Sequence, residues 1–139
     1  MTKLAICVSL ALLCAPAMGA NWTPDPSLTP EQQAERSAWY ARQTRPDVPG
    51  NASCCGEADA YYADDVHVVG ENVYAIITDE REVPNRPYIQ PGTRILVPPE
   101  KNKDTRNDPN GTGHTIIFVR WYSDYNGGYV YCYLPNGGV

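Results

Sequence analysis

Thr115-Ile116-Ile117-Phe118-Val119-Arg120-Trp121-Tyr122, then Asp124-Tyr125-Asn126-Gly127-Gly128, then Tyr129-Val130-Tyr131-Cys132-Tyr133-Leu134, is the stretch on which the fold is read. Two runs of β-branched and aromatic residues flank a turn that holds Asn-Gly-Gly. That is the pattern of a β-hairpin. In a strand, successive side chains point to opposite faces. The second run therefore predicts Val130, Cys132 and Leu134 on an apolar face and Tyr129, Tyr131 and Tyr133 on the other. A cysteine on the apolar face predicts a buried cross-link.

Working outward, short strands are expected over 66–69, 73–78 and 94–97, the first two joined by Gly70-Glu71-Asn72 and the third stopped by Pro98-Pro99. Residues 79–92 and 100–113 are polar, rich in proline or glycine, and read as loops. One helix is expected near the start. Thr29 can cap it, Pro30 suits its first turn, and Gln32 stands where a capping box needs it. It should end by about Gln43, before Arg45-Pro46. One helix and about five short strands predict an α+β, mainly β domain, built as a small sheet or partly open barrel and stapled by a disulfide.

Residues 1–19 carry Lys3, an apolar run over 4–13, and small residues at Ala15, Ala17 and Gly19. This is the pattern of a cleaved signal peptide. The run is shorter than the ~20 residues a membrane span needs. A Pro-rich extended segment over 20–28 and a single domain over 29–139 complete the expected organisation, with a periplasmic or secreted location. The net charge of -5 and the scattered basic residues disfavour nucleic acid and anionic membrane as partners.

Of five cysteines, Cys7 and Cys14 fall in the leader, leaving Cys54, Cys55 and Cys132. In an oxidising compartment pairing is the default. A bond between adjacent cysteines closes a strained ring, so Cys54 or Cys55 is expected to pair with Cys132. Such a loop of roughly 80 residues is worth about 4 to 5 kcal/mol in the chain-entropy model. The odd cysteine leaves a covalent dimer open.

Trp39-Tyr40, Arg45-Pro46-Asp47, Ser53-Cys54-Cys55-Gly56-Glu57-Ala58-Asp59, Val97-Pro98-Pro99-Glu100-Lys101 and Cys132-Tyr133-Leu134-Pro135 resemble a family of small exported proteins of proteobacteria and their phages. Its pattern is a Trp-aromatic pair on a short helix, a Ser-Cys-Cys-x-x-x-Asp-Cys core, a Val-Pro segment and a late Cys-aromatic-x-Pro close. The resemblance implies bacterial or phage origin and export. It implies no activity, because the family is functionally uncharacterised. Ala60 stands where that pattern has cysteine. Thr115-Ile116 follow His114 where it has another. The joint absence implies that one whole bridge is missing and that the Cys132 bridge remains.

Four groups of residues have the chemistry of a site. Cys54, Cys55, His67 and His114 have the chemistry of a zinc set but no standard spacing, and a disulfide would take one thiol away. Glu57, Asp59, Asp64 and Asp65, like Asp108-Pro109-Asn110-Gly111, fail the calcium-loop template. Gly111-Thr112-Gly113-His114 lacks the helix and lysine of a phosphate loop. Tyr122, Tyr125, Tyr129, Tyr131 and Tyr133 form an aromatic row suited to proteins or sugars. A Cys-His catalytic pair is undercut by oxidation of its thiol. No catalytic residue and no cofactor is therefore assigned. The sequons at Asn21, Asn51 and Asn110 matter only in a eukaryotic secretory route. The expected function is a non-enzymatic exported domain that binds an envelope protein or glycan, with an inhibitor or accessory factor of an envelope enzyme as a sub-case. The alternatives are a metal-binding protein and an unrecognised hydrolase.

Overall fold

A computed structural model describes residues 27–105 and 112–136. The leader, most of the Pro-rich segment, Cys7, Cys14, two of the sequons (Asn21 and Asn110) and the Asp108–Gly111 stretch lie outside them. Among the described residues, one α-helix and six strands form a mainly β, α+β domain. Helix α1 spans Pro30–Ala41. The strands are β1 Asp59–Tyr62, β2 Asp65–Val69, β3 Asn72–Ile76, β4 Arg94–Val97, β5 Ile116–Tyr122 and β6 Gly127–Leu134. They make two antiparallel sheets, ordered β1-β5-β6 and β2-β3-β4. No helix among the described residues is long and apolar enough to cross a membrane.

Strand β5 explains the layering. Five of the first six of its residues are buried, which requires cover on both faces. Ile117, Val119 and Trp121 meet Ala75, Ile77, Ile95 and Val97 from the β3–β4 side of the second sheet. Ile116 and Phe118, on the opposite face, meet Trp39, Tyr40, Cys54, Ala58 and Leu134. The domain thus has three layers: α1 with the cysteine loop, the β1-β5-β6 sheet, and the β2-β3-β4 sheet. The acidic stretch around Asp59 looks like a loop in the sequence; pairing with β5 makes Asp59–Tyr62 a strand.

The capping box of α1 is present. The Thr29 hydroxyl accepts the Gln32 N–H at 3.3 Å, and Gln32 Oε1 accepts the Thr29 N–H at 2.9 Å. At the far end the buried Gln43 donates to the Trp39 carbonyl at 2.9 Å, while its own carbonyl takes the Cys54 N–H at 2.9 Å. That tie aims Cys54 at β6. Cys54 pairs with Cys132, with both residues fully buried. Cys55 turns the other way, its thiol donating to the Tyr40 carbonyl at 3.3 Å. Burial pushes that thiol up to about 11, although the hydrogen bond with Ser53 pulls it down. Only thiolate attacks. Alkylation of Cys55 at pH 8 should therefore run on the order of a hundredfold slower in the native protein than after unfolding. Mass spectrometry of the labelled Cys55 peptide measures this; equal rates in the two states would contradict the buried placement.

The alternation expected for β6 breaks in its middle. Phe118 faces Cys132, but Val119 faces Val130, so Tyr131 is an extra, unpaired residue. A bulge of this kind shifts the pleat by one position. Val130 and Tyr133 join the core between the sheets, whereas Cys132 and Leu134 face α1. Tyr133 is therefore a core residue and not part of the aromatic row. Gly128 has no room for a side chain: a Cβ there would stand 2.6 Å from Val119 Cγ1 and 2.8 Å from the Trp121 ring.

The polar stretch after β3 folds around a buried carboxylate. Asp79 accepts from Arg81 Nη2 at 2.6 Å, Arg81 Nε at 2.8 Å and Arg86 Nη1 at 2.9 Å. Arg86 also donates to the Ala60 carbonyl at 2.7 Å, and Asp79 takes the Tyr62 N–H at 3.3 Å. Both residues thereby bind the backbone of β1, which belongs to the other sheet.

Candidate binding surface

The outward end of the β5–β6 hairpin carries the remaining tyrosines. A single turn of 3-10 helix, Ser123–Tyr125, ends at Asn126 in the left-handed region with φ 46°. Asparagine tolerates that conformation better than most residues. The turn folds Tyr125 back onto Tyr122, the rings stacked at 5.2 Å. Tyr129 lies opposite Arg120 in the ladder and meets Tyr131 edge-on at 5.1 Å. Tyr131, two positions on, shares the face that carries Tyr129 and Arg120, and the bulge brings Cys132 onto that face after it.

Charged side chains join these rings into one band. Arg120 pairs with Glu57, whose carboxylate also accepts from the Tyr131 hydroxyl at 3.2 Å. Arg45 lies 4.8 Å from the centre of the Tyr131 ring and grips Asp47 with two hydrogen bonds, at 3.1 and 2.8 Å. Lys101 Nζ reaches Asp47 at 2.5 Å and the Tyr129 hydroxyl at 2.9 Å. Lys101 is itself buried, carried inward by the 3-10 turn Pro99–Lys101 that the Val97-Pro98 segment starts. A planar guanidinium over an aromatic face gains from the ring quadrupole, and a bidentate carboxylate pair fixes its direction.

The electrostatics agree with the geometry. The hydrogen bonds from Arg45, then from Lys101, hold the Asp47 carboxyl well below the ordinary range against the opposing effect of burial. The Lys101 hydrogen bond also lowers the Tyr129 phenol. Burial acts to lower Lys101, but its bonds to Asp47 and Tyr129 outweigh this and raise it. Tyr125 and Tyr129 are 69% and 48% exposed, while Lys101 beneath Tyr129 is buried and Tyr122 beside Tyr125 is half-buried. The band therefore presents fixed rings to solvent with alternating charges between them. Concavities open elsewhere, along α1 beside Arg36 and Trp39, and next to Arg81, Pro84 and Tyr88.

Four of the five tyrosines read from the sequence are brought together; Tyr133 is not. In the sequence Arg45, Asp47 and Lys101 stand out only as motif residues, and Glu57 only as a motif residue and a loop carboxylate. Their joint use needs contacts across 54 and 74 positions of chain, which spacing does not reveal. The zinc set is taken apart. Cys54 is oxidised, Cys55 is buried against Tyr40, His67 lies on the β2–β3 hairpin, and no group of three potential ligands forms among the described residues. His114 instead stacks on Tyr62 at 3.9 Å and meets Asp64 at 2.8 Å. Asp64 also takes the Thr115 N–H at 2.8 Å and the Thr78 hydroxyl at 3.1 Å. Burial raises the Asp64 carboxyl, but these bonds win and hold it low. This carboxylate clamps β5 to the end of β3 and is not shared with Asp59 or Asp65, which sit in β1 and β2. The Thr112-Gly113-His114 turn is closed on itself, with Thr112 Oγ1 taking the His114 N–H at 3.1 Å.

No family model, curated protein or solved structure matches the chain.

Proposed function

We propose that this chain is an exported, non-enzymatic binding domain that holds an envelope protein or glycan against the Tyr122, Tyr125, Tyr129 and Tyr131 band. The observation that carries the reading is the pair of half-open to open rings, Tyr129 hydrogen-bonded to the buried Lys101 and Tyr125 stacked on the half-buried Tyr122. Rigid aromatics beside arginines are the residues that dominate macromolecular contacts, because little side-chain entropy is lost on binding. Sugars use the same rings through their apolar faces. The surface is open and not pocketed, which favours a large partner over a small molecule.

Export is part of the same proposal. The leader pattern of residues 1–19 supports it, and so does a fully buried Cys54–Cys132 bond, since such bonds persist in oxidising compartments. The resemblance of the cysteine core to exported bacterial and phage proteins agrees with this reading. Inhibition or assistance of an envelope enzyme is the role such a domain would fill.

The test is a comparison of Tyr125→Ala/Tyr129→Ala with the unaltered protein, as bait for bacterial envelope extract and for purified peptidoglycan. Surface changes of this kind should alter stability by less than about 1 kcal/mol. Loss of two anchor rings should weaken binding by about 30-fold or more. Equal capture by both baits, with both folded, would remove the band from the account.

A further inference from the structure

Strand β2 is the edge of its sheet, and all five of its residues are exposed. Its apolar side chains are out of keeping with that position. Val66 lies opposite Ala75, which lies opposite Ile95; Val68 lies opposite Val73, which lies opposite Val97. Residues opposed in a sheet share a face. Both rows are therefore core rows, and both overrun the core at β2. Ala75, Ile95 and Val97 are buried, yet Val66 and Val68 are 51% and 59% exposed. Natural edge strands are commonly blocked by lysine, proline, a bulge or inward-pointing charge. The Val66-His67-Val68-Val69 run has none of these.

The two-residue turn Gly70-Glu71 decides which peptide groups are free. It makes Val69 and Asn72 a hydrogen-bonded pair, and bonding alternates along an antiparallel ladder. Asp65, His67 and Val69 thus bond to β3, while Val66 and Val68 turn their N–H and C=O groups outward. A second β2 running antiparallel, with the two-fold axis at His67, sets Val66 against Val68 of the other copy. Both of these residues have outward peptide groups, so four backbone hydrogen bonds form with no slip in register. Asp65 then faces Val69 of the other copy, so no like charges are opposed. Each overhanging row continues across the axis: Val97, Val73 and Val68 meet the other copy's Val66, Ala75 and Ile95.

We propose that β2 is a self-pairing edge through which two copies of this chain join, giving a six-stranded sheet. Any two-fold centred on a residue matches peptide groups and faces, but only the axis at His67 sets both valines against valines and Asp65 against an uncharged residue. That coincidence singles out a second copy as the occupant. The contact is small, at the low end of specific interfaces, and so is weak and reversible.

Sedimentation and NMR of the oxidised protein, raised to about 1 mM, test this. The expected result is a concentration-dependent dimer, with slowed exchange of the Val66 and Val68 amides and an Hα–Hα contact between His67 of labelled and unlabelled copies. Val68→Pro removes an outward N–H and spares the bond ladder to β3, so it should abolish the dimer and leave the circular dichroism unchanged. Val68→Lys should do the same and serves if the proline variant fails to fold. A monomer at that concentration overturns the proposal and leaves the edge to a strand from another protein. A dimer that survives both substitutions, or that dissolves on reduction alone, overturns it as well.

Discussion

Replacing Cys54 and Cys132 together by alanine is expected to lower the unfolding free energy by about 4 kcal/mol or more, the largest single effect in the molecule. The cysteines are 78 positions apart, so the bond removes the freedom of most of the domain from the unfolded chain. Both sulfurs are also packed in the layer between α1 and the β1-β5-β6 sheet, beside Trp39, Phe118 and Leu134. Their loss adds a packing defect to the entropic term. At about 4–8 °C per kcal/mol for a domain near this size, the melting temperature should fall by roughly 20 °C. Guanidinium unfolding of the oxidised protein and the double variant measures the difference. Because the bond is shielded from solvent, mild reductant should leave it intact until denaturant is present. A difference below about 1 kcal/mol would show that the helix layer holds to the sheet without it.

The second large effect is expected at Asp79. Asp79→Ala removes the carboxylate from between Arg81 and Arg86, and the Arg86 side chain is only 4% exposed. A buried cation left without its partner costs about 3–5 kcal/mol. The loss should also unfasten β1, since Arg86 reaches the Ala60 carbonyl and Asp79 the Tyr62 amide. Burial pushes the Asp79 carboxyl up, but the hydrogen bonds from Arg81 and Arg86 outweigh it and hold it well below the usual range. A depressed carboxyl contributes stability that is complete above its unfolded pKa of about 4. The contribution fades as the pH falls through that value and goes on falling in stronger acid. The native protein should therefore weaken steadily below about pH 4. Asp79→Ala should start lower and fall less steeply, the residual slope coming from Asp47 and Asp64, which are depressed as well. Parallel pH profiles for the two proteins would show that Asp79 is not the acid-labile group.

Strongly patterned segments were legible in advance. Thr29 and Gln32 cap the helix as read, and Asn126-Gly127 close the β5–β6 hairpin between two apolar runs. The cross-link to Cys132 was legible too, but not which neighbour makes it. Cys54 and Cys55 are chemically alike, and the contacts that separate them, the Gln43 carbonyl on the Cys54 amide and the Tyr40 carbonyl on the Cys55 thiol, come from the end of the helix. Strand β1 was lost because Asp59-Ala60-Tyr61-Tyr62 carries little apolar weight; β5 supplies the pairing that orders it. Residues 79–92 read as a loop since their order comes from one carboxylate and two guanidiniums, which polarity alone cannot distinguish from solvated charge. The tyrosine row was legible for the members that stay outside and misleading for Tyr133, because no local signal marks the extra residue at Tyr131.

That extra residue is the one position of β6 whose loss would leave the ladder in register. Removing Tyr131 would make Val130 and Cys132 neighbours in an unbroken ladder, still opposite Val119 and Phe118 and still in their own layers. Removing a paired residue such as Tyr133 would instead carry Leu134 off the helix layer, although every other side chain were kept. A gap at 131 costs one ring and its bond to Glu57, whereas a gap at a paired position is a frameshift in three dimensions. A lineage carrying this domain should tolerate a gap at Tyr131 before one at any paired position of the strand.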